Sequence, residues 1–318
     1  MSNPAVSILI PAFRPDWLDV AVASALAQTH GDFELLVSDD SPGDAIASVM
    51  SKWDDPRISY FRNPRRGEPG GNRNHLLQRA RGEYVKFLFD DDFLLPRSVE
   101  LLLNAARENN AQMAFHSRHF VDRNGRKLAS PTSVPLGNVA VIGRAQFFEQ
   151  LLGACVNLIG EPTNILLHTR TLRAMDEPFS LDGRRMRFLT DVALYTNFFA
   201  CAHRVVAVGY FGSAFRQHDG QASGKASPGL SAGYFEWELL RRWSVDAGHL
   251  DDAIYQKTAP ALQALYGQQV GQYPELGAFM AMQGNGDGAR YLSGEFEEAL
   301  SLAYITIESR KLVQAGTA

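Results

Sequence analysis

Apolar and polar positions alternate along the first third of the chain in blocks that fit a strand, then a helix, then a strand again. Val6 to Ile10 is a short apolar run ending at Pro11, and Leu18, Ala21, Val22 and Ala25 follow at the spacing of one buried helical face. Phe33 to Ser38 predicts a second strand, about 44–53 a second helix, and Ile58 to Phe61 a third strand. A loop rich in Gly, Pro and Arg leads to a helix near 72–80, after which Val85 to Phe89 is continuous enough to be a fully buried strand. Val99, Leu102, Leu103 and Ala106 mark another helical face. This alternation predicts an α/β fold with a mainly parallel sheet flanked by helices. The pattern then loosens: a strand over 111–120, a helix over 146–153, a short apolar segment over 165–168, a helix over 188–200 and a strand over 205–209. Beyond a polar loop from Arg216 to Gly229 the periodicity is wholly helical, with Ile254, Thr258, Ala261, Leu262 and Leu265 in one stripe. Phe296, Ala299, Leu300, Ala303, Tyr304 and Ile307 form another. A boundary is expected near residue 228, dividing a sheet domain over 1–228 from a C-terminal helical appendage over 229–318.

Composition changes this picture little. The 318 residues are 45% hydrophobic and 21% charged, ordinary for a globular protein, and the net charge of −4 supplies no basic field for nucleic acid. The first residues lack a basic stretch followed by an apolar run, so no signal peptide is expected. The most membrane-like window, 196–215, has His203 and Arg204 in its middle and glycines near its end, and a helix followed by a strand accounts for it better than a membrane span. Cys155 and Cys201, flanked by apolar residues, are expected as reduced core thiols. Together these features predict a cytoplasmic protein with no integral membrane segment, compatible with peripheral association at the inner face of a membrane.

Charge placement is more informative than total charge. The apolar run over 85–89 stops at Asp90, Asp91 and Asp92, at the end of a strand where open α/β sheets hold their ligands. Three adjacent carboxylates repel, and a hard divalent ion, Mg²⁺ or Mn²⁺, with a diphosphate completing its shell would relieve them. Asp39 and Asp40 end the second strand and can face the same crevice, where a carboxylate accepts from a base N–H or a ribose hydroxyl. Gly70-Gly-Asn-Arg73 places small residues and a guanidinium at a helix start, suited to a phosphate or a base edge. A turn-forming Asp before Ser-Pro-Gly is the ordinary alternative for Asp40.

The runs Val6-Ser-Ile-Leu-Ile-Pro11-Ala12-Phe13, Asp32-Phe-Glu-Leu-Leu-Val-Ser-Asp39-Asp40-Ser and Arg81-Gly-Glu-Tyr-Val-Lys-Phe-Leu-Phe-Asp90-Asp91-Asp92 resemble, in order, spacing and type, the family 2 glycosyltransferases with a GT-A fold. The resemblance covers about 5–100, is looser over 110–225 and is absent from the tail. It implies a nucleoside-diphosphate sugar donor, a UDP-sugar first among them, a divalent metal, a glycan or lipid-linked acceptor and inversion at the anomeric carbon. It implies a nucleotide-binding half over about 1–110 and an acceptor half over about 111–228, with nucleotide-sugar contacts from Pro11, Ala12, Phe13 and Arg73, from Asp40 as the acid best aligned with the one at the base and less from Asp39, ribose contact from Asp90, and metal binding by Asp91, with Asp92 the least defined. Phe89 occupies the first position of the Asp-x-Asp pattern, where an acid is usual, which leaves the metal's shell open. Asp191, at the start of an apolar helix, matches the family's general base, with Asp182 and Asp176 as competitors. Glu161, in Gly160-Glu-Pro-Thr-Asn, matches a segment flanking the acceptor. Arg216-Gln-His218, with Ser223 beyond, is similar to an Arg-x-His segment, making His218 a ligand for metal or diphosphate, and the loop to Gly229 a lid over the donor.

Two other readings stay open. A sugar-nucleotide pyrophosphorylase would carry a Gly-rich loop with Arg and Lys after the first strand, where Pro11-Ala-Phe-Arg-Pro stands instead. A non-catalytic glycan-binding or scaffolding protein on the same fold is opposed by the joint presence of Asp40, Asp91 and Asp191. Leu240-Arg-Arg-Trp243 resembles part of the Gln-x-x-Arg-Trp pattern of processive synthases, but Leu239 stands in place of its Gln, and the segment reads as amphipathic helix. The apolar stripes of the tail need a partner surface, either the sheet domain or another copy of the chain.

Overall fold

The computed structural model describes residues 3–68, 70–201, 204–221, 224, 227, 229–282 and 290–316, the last three in backbone only. In chain order the elements are β1 (Val6–Ala12), α1 (Leu18–Leu26), β2 (Phe33–Asp39), α2 (Ala45–Met50), β3 (Ile58–Arg62), α3 (Gly71–Arg79), β4 (Tyr84–Phe87), β5 (Phe93–Leu94) and α4 (Ser98–Glu108). Next come β6 (Met113–Val121), β7 (Lys127–Ala129), β8 (Val139–Ile142), α5 (Arg144–Phe147), β9 (Ile165–His168), α6 (Thr169–Arg173), β10 (Ser180–Leu181), β11 (Arg184–Arg185), α7 (Thr190–Cys201) and β12 (Val205–Arg216). The rest is helical: α8 (Leu230–Asp246), α9 (Asp252–Gln269), α10 (Leu276–Ala281) and α11 (Gly294–Gly316). Contacts group the chain into two compact units, each drawing on separate segments: one comprises Met1–Ile142, Ile159–Asp176 and Cys201–His218, the other Gly143–Leu158, Glu177–Ala200 and Asp219–Ala318.

The first unit is built on a sheet in the order β3-β2-β1-β4-β9-β6-β12-β5. β3, β2, β1 and β4 run parallel, and β6 pairs parallel with β12, while β9 lies antiparallel between β4 and β6. β1 and β2 are buried along almost their whole length because both faces are covered. Ile8, Ile10, Leu35 and Val37 pack in one cluster with Leu18, Val22, Ile46, Val99, Leu102 and Ala106 of α1, α2 and α4. Leu9 and Leu36, of opposite parity, are buried outside that cluster, and α3 packs on β1 and β2. Each such leucine or isoleucine contributes on the order of 2 kcal/mol by leaving water. The result is the expected α/β class, with the carboxyl ends of β1, β2 and β4 at one edge.

The second unit is helical apart from the β10–β11 ribbon. In α9 the buried positions are Tyr255, Ala259, Leu262 and Tyr266, one step away from most of the stripe expected from aliphatic spacing. Both tyrosines turn inward because their hydroxyls find partners there, Tyr255 on Glu238 and Tyr266 on the Tyr234 carbonyl. In α11, Phe296, Leu300, Ala303 and Ile307 are buried as expected. The amphipathic reading of the segment Leu240-Arg-Arg-Trp243 is corrected: Arg241 and Arg242 are fully buried, and both pair with buried Glu238. The cysteine expectation is corrected as well, since Cys201 is exposed and Cys155 half-buried.

Candidate functional site

β1 and β2 end side by side, with Ala12 registered against Asp39, and the amide of Asp40 donates to the Ala12 carbonyl. The two acids then part company. Asp39 is fully buried, and its carboxylate accepts from Tyr60 Oη at 2.7 Å, Arg62 Nη1 at 2.8 Å and the Ser41 amide at 2.8 Å. Asp40 reaches a pocket of about 280 Å³ lined by Pro11, Phe13, Gly67, Glu68, Gly70, Asn72, Arg73 and Phe89 as well. Asn63 Nδ2 donates to Asp40 Oδ1 at 2.7 Å and turns the carboxylate into position. Phe13 is 52% exposed, so an aromatic face is available at the pocket wall. α3 opens at this pocket through Gly70, whose φ of 76° is left-handed, a conformation that a residue with Cβ adopts only with strain. Asn72 Nδ2 donates to the Ala12 carbonyl and ties that helix to the end of β1.

β4 stops at Phe87, two residues short of the expected end, and Asp90 and Asp91 occupy a turn before the short strand β5. Each acid of the triplet has a different task. Asp90 Oδ2 accepts the amides of Phe13 at 2.6 Å and Arg14 at 2.7 Å, fixing the loop after β1 to the turn. Burial outweighs those donors and pushes the Asp90 carboxyl up to about 6. Asp92 is buried and accepts from Thr163 Oγ1 at 2.7 Å and the Arg216 amide at 3.1 Å. Burial, reinforced by the Asp91 charge, raises its carboxyl as well. Asp91 faces His218, with Oδ2 3.1 Å from Nε2, and their side chains are 20% and 9% exposed. Among the described residues no group of three or more His, Cys, Asp or Glu side chains is arranged to hold a metal ion.

Several groups that shape this edge were not singled out from sequence. Thr163 reads Asp92 with its hydroxyl while its carbonyl accepts from buried Lys86 Nζ at 2.9 Å. Arg216 Nε donates to the Asp91 carbonyl at 2.8 Å. Glu161 forms a 2.6 Å ion pair with Arg118; its carboxyl is raised by burial, which the Arg118 charge opposes. Only the position of Thr163, inside the segment already flagged by Glu161, could have pointed to it. Arg216 was visible only as part of Arg-x-His.

Asp191 belongs to the second unit, as the second residue of α7. Its Oδ2 accepts from Asn157 Nδ2 at 2.9 Å. The approach to α7 is held by buried Glu236 of α8, whose carboxylate accepts the amides of Arg187, Phe188 and Leu189. Of the loop to Gly229, expected as a lid, Ala222, Ser223, Lys225, Ala226 and Pro228 lie outside the described residues.

The first unit is thus an α/β fold with a pocket and a row of acids beyond the carboxyl ends of its first strands. Solved structures share it: S. aureus TarS 1-349 crystallised with UDP-GlcNAc superposes with a TM-score of 0.62 at 19% identity, covering 95% of this chain and 81% of that one. The chain belongs to glycosyl transferase family 2, whose model matches residues 7–173. Among curated relatives, the GalNAc(5)-diNAcBac-PP-undecaprenol beta-1,3-glucosyltransferase of Campylobacter jejuni is 40% identical over 114 residues, 35% of this chain and 37% of that protein. The UDP-Glc:alpha-D-GlcNAc-diphosphoundecaprenol beta-1,3-glucosyltransferase WfgD of Escherichia coli is 27% identical over 125 residues, 39% of this chain and 49% of that protein. The matches thus span about half or less of these relatives' own length.

Proposed function

We propose that this family 2 member is a metal-dependent, inverting glycosyltransferase that moves a sugar from a nucleoside-diphosphate sugar to a hydroxyl of a lipid-linked or other glycan acceptor. The observation that carries this reading is the pocket holding Asp40, Arg73 and Phe13, joined through the Asp90–Phe13 hydrogen bond to the turn that bears Asp91. Phe13 offers a face for the base, Asp40 an acceptor for its N–H groups, and Arg73 a cation for phosphate. A UDP-sugar is the favoured donor, since one relative is named for UDP-Glc and TarS was crystallised with UDP-GlcNAc. The acceptor class follows the undecaprenol-linked substrates in the relatives' names. No described helix is long and apolar enough to cross a membrane.

Asp91 and His218 fit a divalent ion as a carboxylate and an imidazole 3.1 Å apart, a donor set that favours Mn²⁺ over Mg²⁺. Two protein ligands would leave the ion's remaining positions to diphosphate and water, as is usual for ions of nucleotide sites. Such an ion would offset charge on the departing diphosphate. Asp90 braces the loop that presents Phe13, and Asp92, bonded to Thr163 and Arg216, fixes the turn. Inversion requires a base for the acceptor hydroxyl, and Asp191, accepting from Asn157, takes that role in this reading, with Glu161 assigned to the acceptor side.

A panel of sugar nucleotides assayed for transfer and hydrolysis with Mn²⁺, and again with EDTA, tests the proposal. A UDP-sugar should turn over with Mn²⁺ only, and Asp91→Asn should lose turnover and metal-dependent nucleotide binding while its far-UV spectrum stays unchanged. Turnover that persists in EDTA, or in Asp91→Asn, would remove the metal assignment. Turnover of none of the sugar nucleotides would remove the reading itself.

A further inference from the structure

We infer that Trp17 is a positioning residue for the cation site formed by Asp91 and His218, an inference that rests on the metal reading above. Its indole lies against the His218 imidazole, with ring centroids 4.8 Å apart and tilted by 45°. The Arg216 guanidinium sits over the same indole, 5.1 Å from its centroid. Trp17 Nε1 donates to the Arg123 carbonyl at 3.1 Å, and Arg216 Nη1 donates to that carbonyl too, at 3.0 Å, and to the Asp122 carbonyl at 3.3 Å. Both side chains are therefore anchored on one turn. That turn is itself fixed: Asp122 Oδ1 accepts the amides of Asn124 and Arg126, and Gly125 takes a φ of 81°.

From this anchor the bracket reaches both proposed ligands. Arg216 holds the Asp91 backbone through Nε and the Asp92 carboxylate through its amide, and Trp17 limits where the His218 ring can turn. An imidazole on the loop after β12 would otherwise sample several rotamers, and ordering it would oppose metal binding. Trp17, Arg123 and Arg216 come from three distant stretches of chain, so sequence spacing gives no sign of the arrangement. Trp17 makes no contact with the reacting groups in this role; it acts through His218.

Mn²⁺ titrations of the full chain in the presence of UDP, read from the electron paramagnetic resonance signal of free Mn²⁺, test the inference without an assay of turnover. Trp17→Ala should weaken Mn²⁺ binding by about tenfold, the low end of what loss of an outer partner of a metal ligand costs. Trp17→Phe keeps a ring against His218 and under Arg216 and should recover most of that loss. In a His218→Ala background, Trp17→Ala should add less than about twofold, because the residue it positions is gone. Mn²⁺ affinity unchanged in Trp17→Ala would overturn the inference, as would a full additive loss in the His218→Ala background. Failure of the wild-type chain to bind Mn²⁺ with UDP present would overturn the metal reading itself, a result distinct from a wild type that binds and a Trp17→Ala that binds equally.

Discussion

Lys86 is the most unusual single residue of the sheet, a fully buried amine on β4 with carbonyls as its partners, Thr163 at 2.9 Å and Ile165 at 3.5 Å. Burial pulls its pKa down to about 7. Between pH 7 and about 10 the unfolded chain keeps a proton that the folded chain sheds, so this group makes stability rise with pH, by up to about 1.4 kcal/mol per pH unit. Below pH 7 both states hold the proton and the penalty for burying the charge is complete. Lys86→Met removes the slope, and the stability of the variant relative to wild type should be greatest near pH 7 and decline toward pH 9.5 in urea denaturation. A difference that does not vary with pH would show that the amine does not titrate in this window. The same scale shows what sequence can and cannot tell. As neighbouring acids at a strand end Asp39 and Asp40 look alike, and although the family resemblance favours Asp40, only folding reveals that Tyr60 and Arg62 occupy the first while the second lines the pocket. Likewise the triplet Asp90 to Asp92 announces an acidic turn, but the amides of Phe13 and Arg14, the Thr163 hydroxyl and His218 divide its members among three tasks.

Elements with a strong apolar pattern were legible, β1 and β2 as continuous runs buried on both faces and α4 by the spacing of one buried face, and these, with β6, fall close to where the pattern placed them. Elements shaped by partners were not. β12 continues to Arg216, well past the expected end at Gly209, because its later half pairs with β6 beyond a register shift and with β5, itself too short to register as a pattern. α8 is the extreme case, since charge in its sequence implied a solvated face and the structure buries it. Arg242 Nη1 donates to the Tyr291 carbonyl and its Nε to Glu238, while Arg241 Nη2 donates to the Tyr255 carbonyl and Thr258. Glu238 is the carboxylate of this cluster, paired with both guanidinium groups. Glu238→Gln keeps the shape and leaves two buried cations without their counter-charge, so it should cost about 3–5 kcal/mol in urea unfolding. A loss below about 1 kcal/mol would mean that the backbone carbonyls alone compensate the arginines.

At the scale of the molecule, the residues of the proposed reaction fall in separate stretches of chain. The pocket at Asp40, the Asp90–Asp92 turn and His218 belong to the first unit, and Asp191 belongs to the second. The family resemblance is carried by strand ends within the first hundred residues, whereas Asp191 lies where it is looser and is otherwise an acid opening an apolar helix, a common cap-like position. Its support is equally remote in sequence, from Asn157 on one side and from Glu236, which anchors the amides before α7, on the other. Displacement at an anomeric carbon requires the acceptor oxygen to lose its proton as it attacks, and a positioned base is worth about 10²–10⁴ in rate. Asp191→Asn preserves size and the ability to accept from Asn157 while removing basicity. Because none of the pocket residues comes from the same unit, donor nucleotide and Mn²⁺ should bind to this variant with unchanged affinity in calorimetry, and transfer to the acceptor should fall by about 10²–10⁴ in kcat with little change in the donor KM. Intact transfer would reassign the base to Asp182 or Glu161, and loss of donor binding would put Asp191 in the nucleotide site instead.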